Sequence, residues 1–516
     1  MMGIKERTFA PLPSATLEEL VPPNHVYRQL EDTLDLRFVR DLVRDAYAPS
    51  GRPSIDPVVF FKLQLILFFE DLRSERQLMH VVADRLSLRW YLGYDLSEPL
   101  PDHSSLSRIR ERYGLDVFRR FFETIVEQCL DAGLVWGEEL YIDATKVAAN
   151  AALTSLRPRF AVEAHLHRLF AAAEEGDDDD RDGGDRHGNP DETGDDPPVP
   201  LSSDLTAESR SQLAECAAQR HDWIGRAGRP NRATTSGPYR RTADFRVSTT
   251  DPDATPMPYG ERGTQLGYQD HYVVDGGRAR IILAALVAPA EVQEHQPALD
   301  LLWRARFRWK LWPRQITGDT KYGTVANIAA IERESIRAYV PLSAAGQRVG
   351  MFGERDFVYN GTTDTYRCPG NATLHFLSEC QATRRRVYGA PAAVCASCAL
   401  KHQCTTSRRG RRVGRSLEAD ALDRVQGYHA TEPYAKAMRK RQVWVEPLFA
   451  EAKAWHGLRR FRLRGLEQVN SEALLIAAGQ NLKRLLSHRG WGRRPFPSGA
   501  SRAVVPAPPL RLVLTP

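Results

Sequence analysis

The sequence predicts a mixed α/β protein of the α+β kind, opening with an all-helical region. Three observations carry that reading. Leu17 to Leu134 read as mostly helical. At Glu139 the pattern changes to ELYIDATKVAAN, a strand of alternating faces followed by a turn. From Leu266 on, strands and helices interleave: LGYQDHYVVDGG and RARIILAALVAP as a hairpin about Gly276-Gly277, a helix over 297–309, the buried strand of PRQITGDTKYGT, the helix VANIAAIERES and the strand IRAYVPL. That order builds a mixed sheet with helices packed on it.

Within the first region, Asp56-Pro57 marks a capped helix start for VVFFKLQLILFFEDL. A second helix around SERQLMHVVADRL follows after a short link. PDHSS then opens SLSRIRERYG, with Ser104 or Ser105 expected as its cap. Short helices joined by tight turns suit a helix-turn-helix-like DNA-binding module and suit a plain helical bundle equally well. Residues 1–135 are therefore assigned to an N-terminal helical, DNA-binding domain.

Composition excludes several classes. The chain has 516 residues, 42% hydrophobic and 26% charged, which is ordinary for a protein with a real core and not for a disordered, fibrous or disulfide-dense chain. Its length suggests roughly two to four domains. The greasiest stretch, Pro57 to Phe69, is interrupted by Lys62 and falls short of the ~20 residues of a membrane span. No apolar leader is visible at the start, so the expected location is the cytoplasm, with no membrane partner.

The net charge of +6 hides an asymmetry. Glu174 to Asp196 holds 12 acidic and 2 basic residues, whereas Gln381 to Gly490 holds 22 basic and 8 acidic ones. The acidic stretch, within 174–200, has too little apolar surface to offset its ordering entropy and is expected to be a disordered linker. A helix is expected over 205–220. The basic region suits either a solvated surface or a polyanionic partner, most often nucleic acid. The Pro- and Arg-rich stretch 490–516 is expected to be a flexible tail.

Three acidic residues stand out by position. Asp143 lies inside an apolar strand, Asp319 ends the strand QITGD, and Glu446 lies in the helical run VWVEPLFAEAKAW. A carboxylate at the C-terminal end of a strand faces the crevice where α/β sheets bind ligands. Three carboxylates without thiol or imidazole suit a hard divalent cation such as Mg²⁺ or Mn²⁺. Singly, each has a bland reading: Asp143 as a turn cap, Asp319 as an Asx-turn residue, Glu446 as a solvated partner of Arg441. Arg439, Gln442, Glu446 and Lys453 are spaced to share one helix face, and HGLRRFRLRG continues the basic track.

YIDATKVAAN, ITGDTKYGT and VEPLFAEAKAWHGLRRFRLRG, in that order, resemble the three catalytic blocks of the DDE transposases of bacterial insertion sequences. The resemblance runs from about Leu17 to Arg489. It implies a ribonuclease H-like catalytic core over 136–350 and 416–489, with Asp143 on the first strand, Asp319 after the fourth and Glu446 on a late helix. It also implies two Mg²⁺ ions held by that triad, and DNA phosphate contacts from Arg439, Arg441, Lys453, His456, Arg459 and Arg460. Many relatives carry Tyr, Arg and Lys seven before, four before and seven after the glutamate. Here those places hold Arg439, Gln442 and Lys453, with Arg441 beside the arginine place.

The seven cysteines divide in two. Cys129 and Cys216 lie on helical stretches. The set YRCPG…CASCALKHQC, in an insert over 351–415, supports a structural zinc ribbon held by Cys368, Cys395, Cys398 and Cys404, with Cys380 or His402 as alternative fourth ligands. A redox Cys-x-x-Cys is the rival, without thioredoxin-like context. The arginines at 384–386, 408, 409, 411, 412 and 415 suggest that the ribbon faces DNA.

The expected function is a transposase that cuts the ends of its element and transfers the strands into target DNA. It would work near the bacterial nucleoid as a homodimer or larger on double-stranded DNA. Its alternatives are a decayed or repurposed DNA-binding protein and a nuclease that hydrolyses without joining.

Overall fold

The computed structural model describes residues 15–47, 54–158, 246–260, 263–342, 350–381 and 384–491. The expected acidic linker, the helix over 205–220 with Cys216, and the tail beyond 491 lie outside the described residues.

Seven helices open the chain: α1 (Leu17–Leu20), α2 (Val26–Thr33), α3 (Phe38–Leu42), α4 (Pro57–Phe69), α5 (Glu75–Asp84), α6 (Leu86–Leu92) and α7 (His103–Asp131). The Asp56 carboxylate accepts the Val58 N–H at 2.9 Å, and Pro57 fills the first turn of α4, where its missing N–H costs nothing. From Phe60 to Phe68 every residue of α4 is buried, as befits a helix apolar on all sides. α7 starts two or three residues earlier than expected. Its cap is Asp102, which accepts from Ser104 N–H at 2.8 Å, while Ser104 and Ser105 lie inside the first turn. α7 breaks at Gly114, whose φ of +66° suits glycine. The Leu115 N–H just past the break finds Glu467 Oε1 at 3.0 Å.

The main sheet has six strands: β1 (Glu139–Ala148), β4 (Thr255–Pro258), β5 (Thr264–Asp275), β6 (Ile282–Pro289), β7 (Gln315–Thr317) and β8 (Arg337–Tyr339). The short pair β2 (Leu156–Pro158) and β3 (Arg246–Ser248) stands apart. β5 pairs antiparallel with β4, β6 and β1, whereas β1–β7 and β7–β8 are parallel. Helices α8 (Ala298–Arg308) and α9 (Val325–Arg333) connect these strands, and the predicted hairpin about Gly276-Gly277 joins β5 to β6.

A second sheet is wholly antiparallel. It runs in the order β13 (Arg412–Ser416), β12 (Arg385–Gly389), β11 (Thr373–Cys380), β10 (Thr365–Arg367), β9 (Val358–Asn360). Short helices α10 (Ala392–Ala396) and α11 (Lys401–Cys404) sit between β12 and β13. Its core is small and separate: Phe357, Tyr366, Leu374, Tyr388 and Val413.

Four more helices follow among the described residues: α12 (Ala419–Tyr428), α13 (Glu432–Trp444), α14 (Glu446–Trp455) and α15 (Leu466–His488). α15 is buried along most of its length and joins the opening helices and the main sheet into one hydrophobic core. Two of its asparagines close the edge of the sheet. Asn470 accepts from Val287 N–H at 2.8 Å and donates to Val287 O at 3.0 Å; Asn481 does the same for Ile282 at 2.9 and 2.8 Å. The unpaired backbone of edge strand β6 is thereby satisfied. At Gly479 a Cβ would come within 2.6 Å of the Phe68 ring, so glycine lets α15 lie against α4.

Candidate active site

The parallel pairing of β1 and β7 sets the site. Tyr141 lies opposite Thr317, so Asp143 and Asp319, each two residues further on, reach the same level of neighbouring chains. Asp143 is 8% exposed. Its Oδ1 accepts the Ala144 N–H at 2.9 Å, and its Oδ2 accepts from Arg441 Nη1 at 2.8 Å. Burial pushes the carboxyl up to about 6, against the pull of Arg441 and the Ala144 N–H, while the charges of Asp319 and Glu294 add to the rise.

Asp319 does not end the strand itself. β7 closes at Thr317, and Asp319 caps a single 3₁₀ turn, Thr320–Tyr322, accepting from Lys321 N–H at 2.8 Å. In this structure the carboxylate therefore makes the Asx-turn contact. Lys321 turns back to pair with Glu294. Burial works against its charge, but the Glu294 partnership and the carboxylates of Asp319 and Asp143 hold its pKa above the usual lysine range.

The helical run expected around Glu446 is two helices. Val445 separates α13 from α14, with Pro447 in the first turn of α14 and Glu446 as its first residue. The shared face expected for Arg439, Gln442, Glu446 and Lys453 assumed one continuous helix, and the break at Val445 alters that register. Arg439 and Gln442 are exposed; Arg441 turns inward instead, 13% exposed at its side chain, and its Nη2 reaches Glu446 Oε1 at 3.5 Å.

Lys453 extends Nζ to Thr145 Oγ1 at 2.6 Å. Thr145 stands two residues past Asp143 and so on the same face of β1. Burial, with help from Arg459, lowers the Lys453 pKa, and Asp270 opposes the drop. Arg459 and Arg460 are exposed. His456 is turned inward. Its ring stacks on Phe68 at 3.8 Å, its Nδ1 meets Phe68 O at 3.1 Å, and its side chain is 6% exposed; the expected phosphate contact does not suit that position.

The structure thus brings together Asp143, Asp319, Arg441 and Lys453, with Glu446 at the rim. Glu294 and Lys321 join them. Lys321 lies within the ITGDTKYGT block, but Glu294 sits in the turn EVQEHQP, where no spacing singles it out. Among the described residues, no three His, Cys, Asp or Glu side chains are grouped closely enough to form a metal centre. Asp143 and Glu446 are bridged by the Arg441 guanidinium, at 2.8 and 3.5 Å.

Cys368, Cys395, Cys398 and Cys404 line one cavity of about 260 Å³ in the small domain. Burial and the three neighbouring cysteines raise the Cys404 thiol, against Arg411. Cys380 lies at the end of β11, opposite Arg385, away from that cavity lining. His402 is likewise outside the lining, its ring facing Ala399 O and Gln403. The arginines around the cysteines are mostly engaged within the protein. Arg384 pairs with Glu418, Arg385 with Glu354, Arg386 with Asp364 and Arg415 with Asp420 and Asp423; Arg408, Arg409 and Arg412 are exposed, as are Arg384 and Arg385 despite their pairs.

Fold and site define a class: a mixed α/β protein whose acidic and basic side chains converge beside a central parallel strand pair. Residues 15–112 match the family described as "Transposase domain (DUF772)", and residues 367–486 match the "Transposase DDE domain". Both are transposase domains and support a DDE transposase of an insertion element. The second match includes Glu446 and the four cavity cysteines but not Asp143 or Asp319. Among curated proteins and among solved structures, nothing matches the chain. Among the described residues no helix is long and apolar enough to cross a membrane.

Proposed function

We propose that the chain cleaves double-stranded DNA at the ends of its own element and transfers those strands into target DNA, assembled there as a dimer or larger. The observation that carries the reading is the level placement of Asp143 and Asp319 on neighbouring parallel strands, with Glu446 tied in through Arg441. The order of elements supports a ribonuclease H-like core. Setting aside the short edge piece β4, Asp143 lies on the first strand of the main sheet, Asp319 follows the fourth, and Glu446 opens a late helix.

The oxygen donors of Asp143, Asp319 and Glu446 fit Mg²⁺ or Mn²⁺, and the Arg441 bridge marks where positive charge is wanted. Such ions supply Lewis-acid charge for in-line phosphoryl displacement. Within the chain, Arg441 is released from the carboxylates to meet a phosphate, while Lys453 steadies the same strand from its seat on Thr145. Arg439, Arg459 and Arg460 hold the flanking backbone, and the opening helices grip the element end. By donor type the four thiols of the small domain suit a structural Zn²⁺, which would have to draw them together and would brace a core of five residues.

Asp319→Asn is expected to abolish strand cleavage while end binding persists. Retained cleavage would sink the assignment. One observation favours a second reading, binding without catalysis: no three carboxylates are grouped as a metal centre among the described residues. Mg²⁺ binding that disappears in Asp143→Ala would count against it.

A further inference from the structure

A groove of about 1200 Å³ opens beside the N-terminal end of β1, away from Asp143. One wall is the segment 133–136 with the hairpin loop 276–280; the other is α13, the last turns of α15, and Trp491. Three indoles, Trp136, Trp444 and Trp491, line it together with Arg278, Arg280 and Lys440. Trp136 is 50% exposed although it lines a cleft. The Lys440 ammonium lies 5.4 Å from its ring centre and 4.8 Å from that of Trp444.

Two further features point to a ligand. Arg280 adopts φ +53°, a left-handed conformation costly for a residue with a Cβ. Its guanidinium donates to Val443 O at 3.3 Å. Trp444 is pinned by Nε1–H to Gly277 O at 2.9 Å, which fixes the wall on that side. Cations are in excess: Lys440 answers Glu139, and Lys483 and Arg484 share Glu451, while Arg278 and Arg280 add positive charge. An exposed indole, with two half-buried ones beside it and cations between them, suits stacking of a base and holding of phosphates along an unpaired strand. The basic chain beyond Trp491, with four arginines and no acidic residue, is a poor occupant of a cationic cleft.

We propose that this groove binds a single DNA strand, stacking an unpaired base on Trp136 and holding its backbone with Arg278 and Arg280. Trp136 and Asp143 are seven residues apart and β1 starts only at Glu139, so they lie at most about 23 Å apart at 3.3 Å per residue, and the groove would hold DNA beside the reacting phosphate, not on it. The proposal rests on the reading of the chain as a DNA-processing protein.

The test measures affinity of the full chain for a fluorescent mixed-sequence single-stranded oligonucleotide and for the matching duplex, in chelator without metal. Trp136→Ala and Arg278→Ala alter exposed side chains, and circular dichroism confirms that each variant is folded. Each is expected to weaken strand binding about tenfold while changing duplex binding less, and the indole fluorescence quenched by the strand should fall in Trp136→Ala. Unchanged strand affinity in both folded variants overturns the groove and leaves the proposed function standing. A wild-type chain that binds neither form of DNA overturns both.

Discussion

Arg441 Nη1 lies 2.8 Å from Asp143 Oδ2, joining the start of the main sheet to a helix nearly three hundred residues later. The same guanidinium reaches Glu446 at 3.5 Å. Two of the three candidate carboxylates are thus held by a cation from the protein itself. Binding of a divalent metal and rearrangement of Arg441 are expected to be coupled.

Arg441→Ala tests that coupling. Without metal it leaves the buried Asp143 carboxylate with the Ala144 N–H but no cation, and a loss of about 1–3 kcal/mol is expected. Asp143 can take up a proton, which limits the damage. Added Mg²⁺ should then raise the melting temperature of the variant by more than that of wild type. Equal Mg²⁺ responses would separate Arg441 from the metal site.

Glu451 offers a pH test away from the proposed chemistry. Burial alone would raise its carboxyl, but His456, Arg484 and Lys483 hold it far below the ordinary 4.5. A depressed folded pKa stabilises above the unfolded value, and that stabilisation is lost as the pH falls through the folded one. Glu451→Gln should cost about 2–3 kcal/mol at neutral pH, with the gap to wild type narrowing once the pH drops below about 4.5. Denaturant titrations at several pH values read the gap directly; a constant gap contradicts the assignment.

Gly479→Ala should destabilise by about 1–3 kcal/mol. Its new methyl meets the Phe68 ring, and that ring is already stacked on His456 at 3.8 Å, leaving it little room to turn. A melting temperature equal to wild type would mean that α4 and α15 can move apart freely.

The cysteine cavity predicts about one zinc per chain by elemental analysis of protein purified without chelator. Removing it, or making Cys398→Ser, should loosen the small domain first, because the core there is only Phe357, Tyr366, Leu374, Tyr388 and Val413. Zinc content near zero in folded protein would refute the ribbon.

Much of the architecture was legible in the sequence because it rests on local signals. Asp56-Pro57 announces α4, the alternation in ELYIDATKVAAN announces β1, and Gly276-Gly277 announces the hairpin. The three acidic residues each stand in a short distinctive block, and the pairing of β1 with β7 sets Asp143 and Asp319 level. Contacts made over long sequence distances were not legible. Glu294 reaches the site only by pairing with Lys321 across a turn, and the Asn470 and Asn481 clamps on β6 look like ordinary polar helix residues until the sheet edge lies beside them. The inward turn of Arg441 is set by Asp143 and Glu446, one of them nearly three hundred residues away. Extrapolating one helix through Pro447 put Arg439 and Gln442 on the site's face instead. His456 read as part of a basic track because its stacking partner, Phe68, lies nearly four hundred residues away.

The central claim is tested most directly by cleavage of DNA carrying the native element's ends, with and without Mg²⁺, comparing wild type with Glu446→Gln. The account predicts metal-dependent nicking at the element boundary that vanishes in the variant while end binding persists. Cleavage that survives in Glu446→Gln, or specific binding by wild type with no cleavage in Mg²⁺ or Mn²⁺, would contradict it.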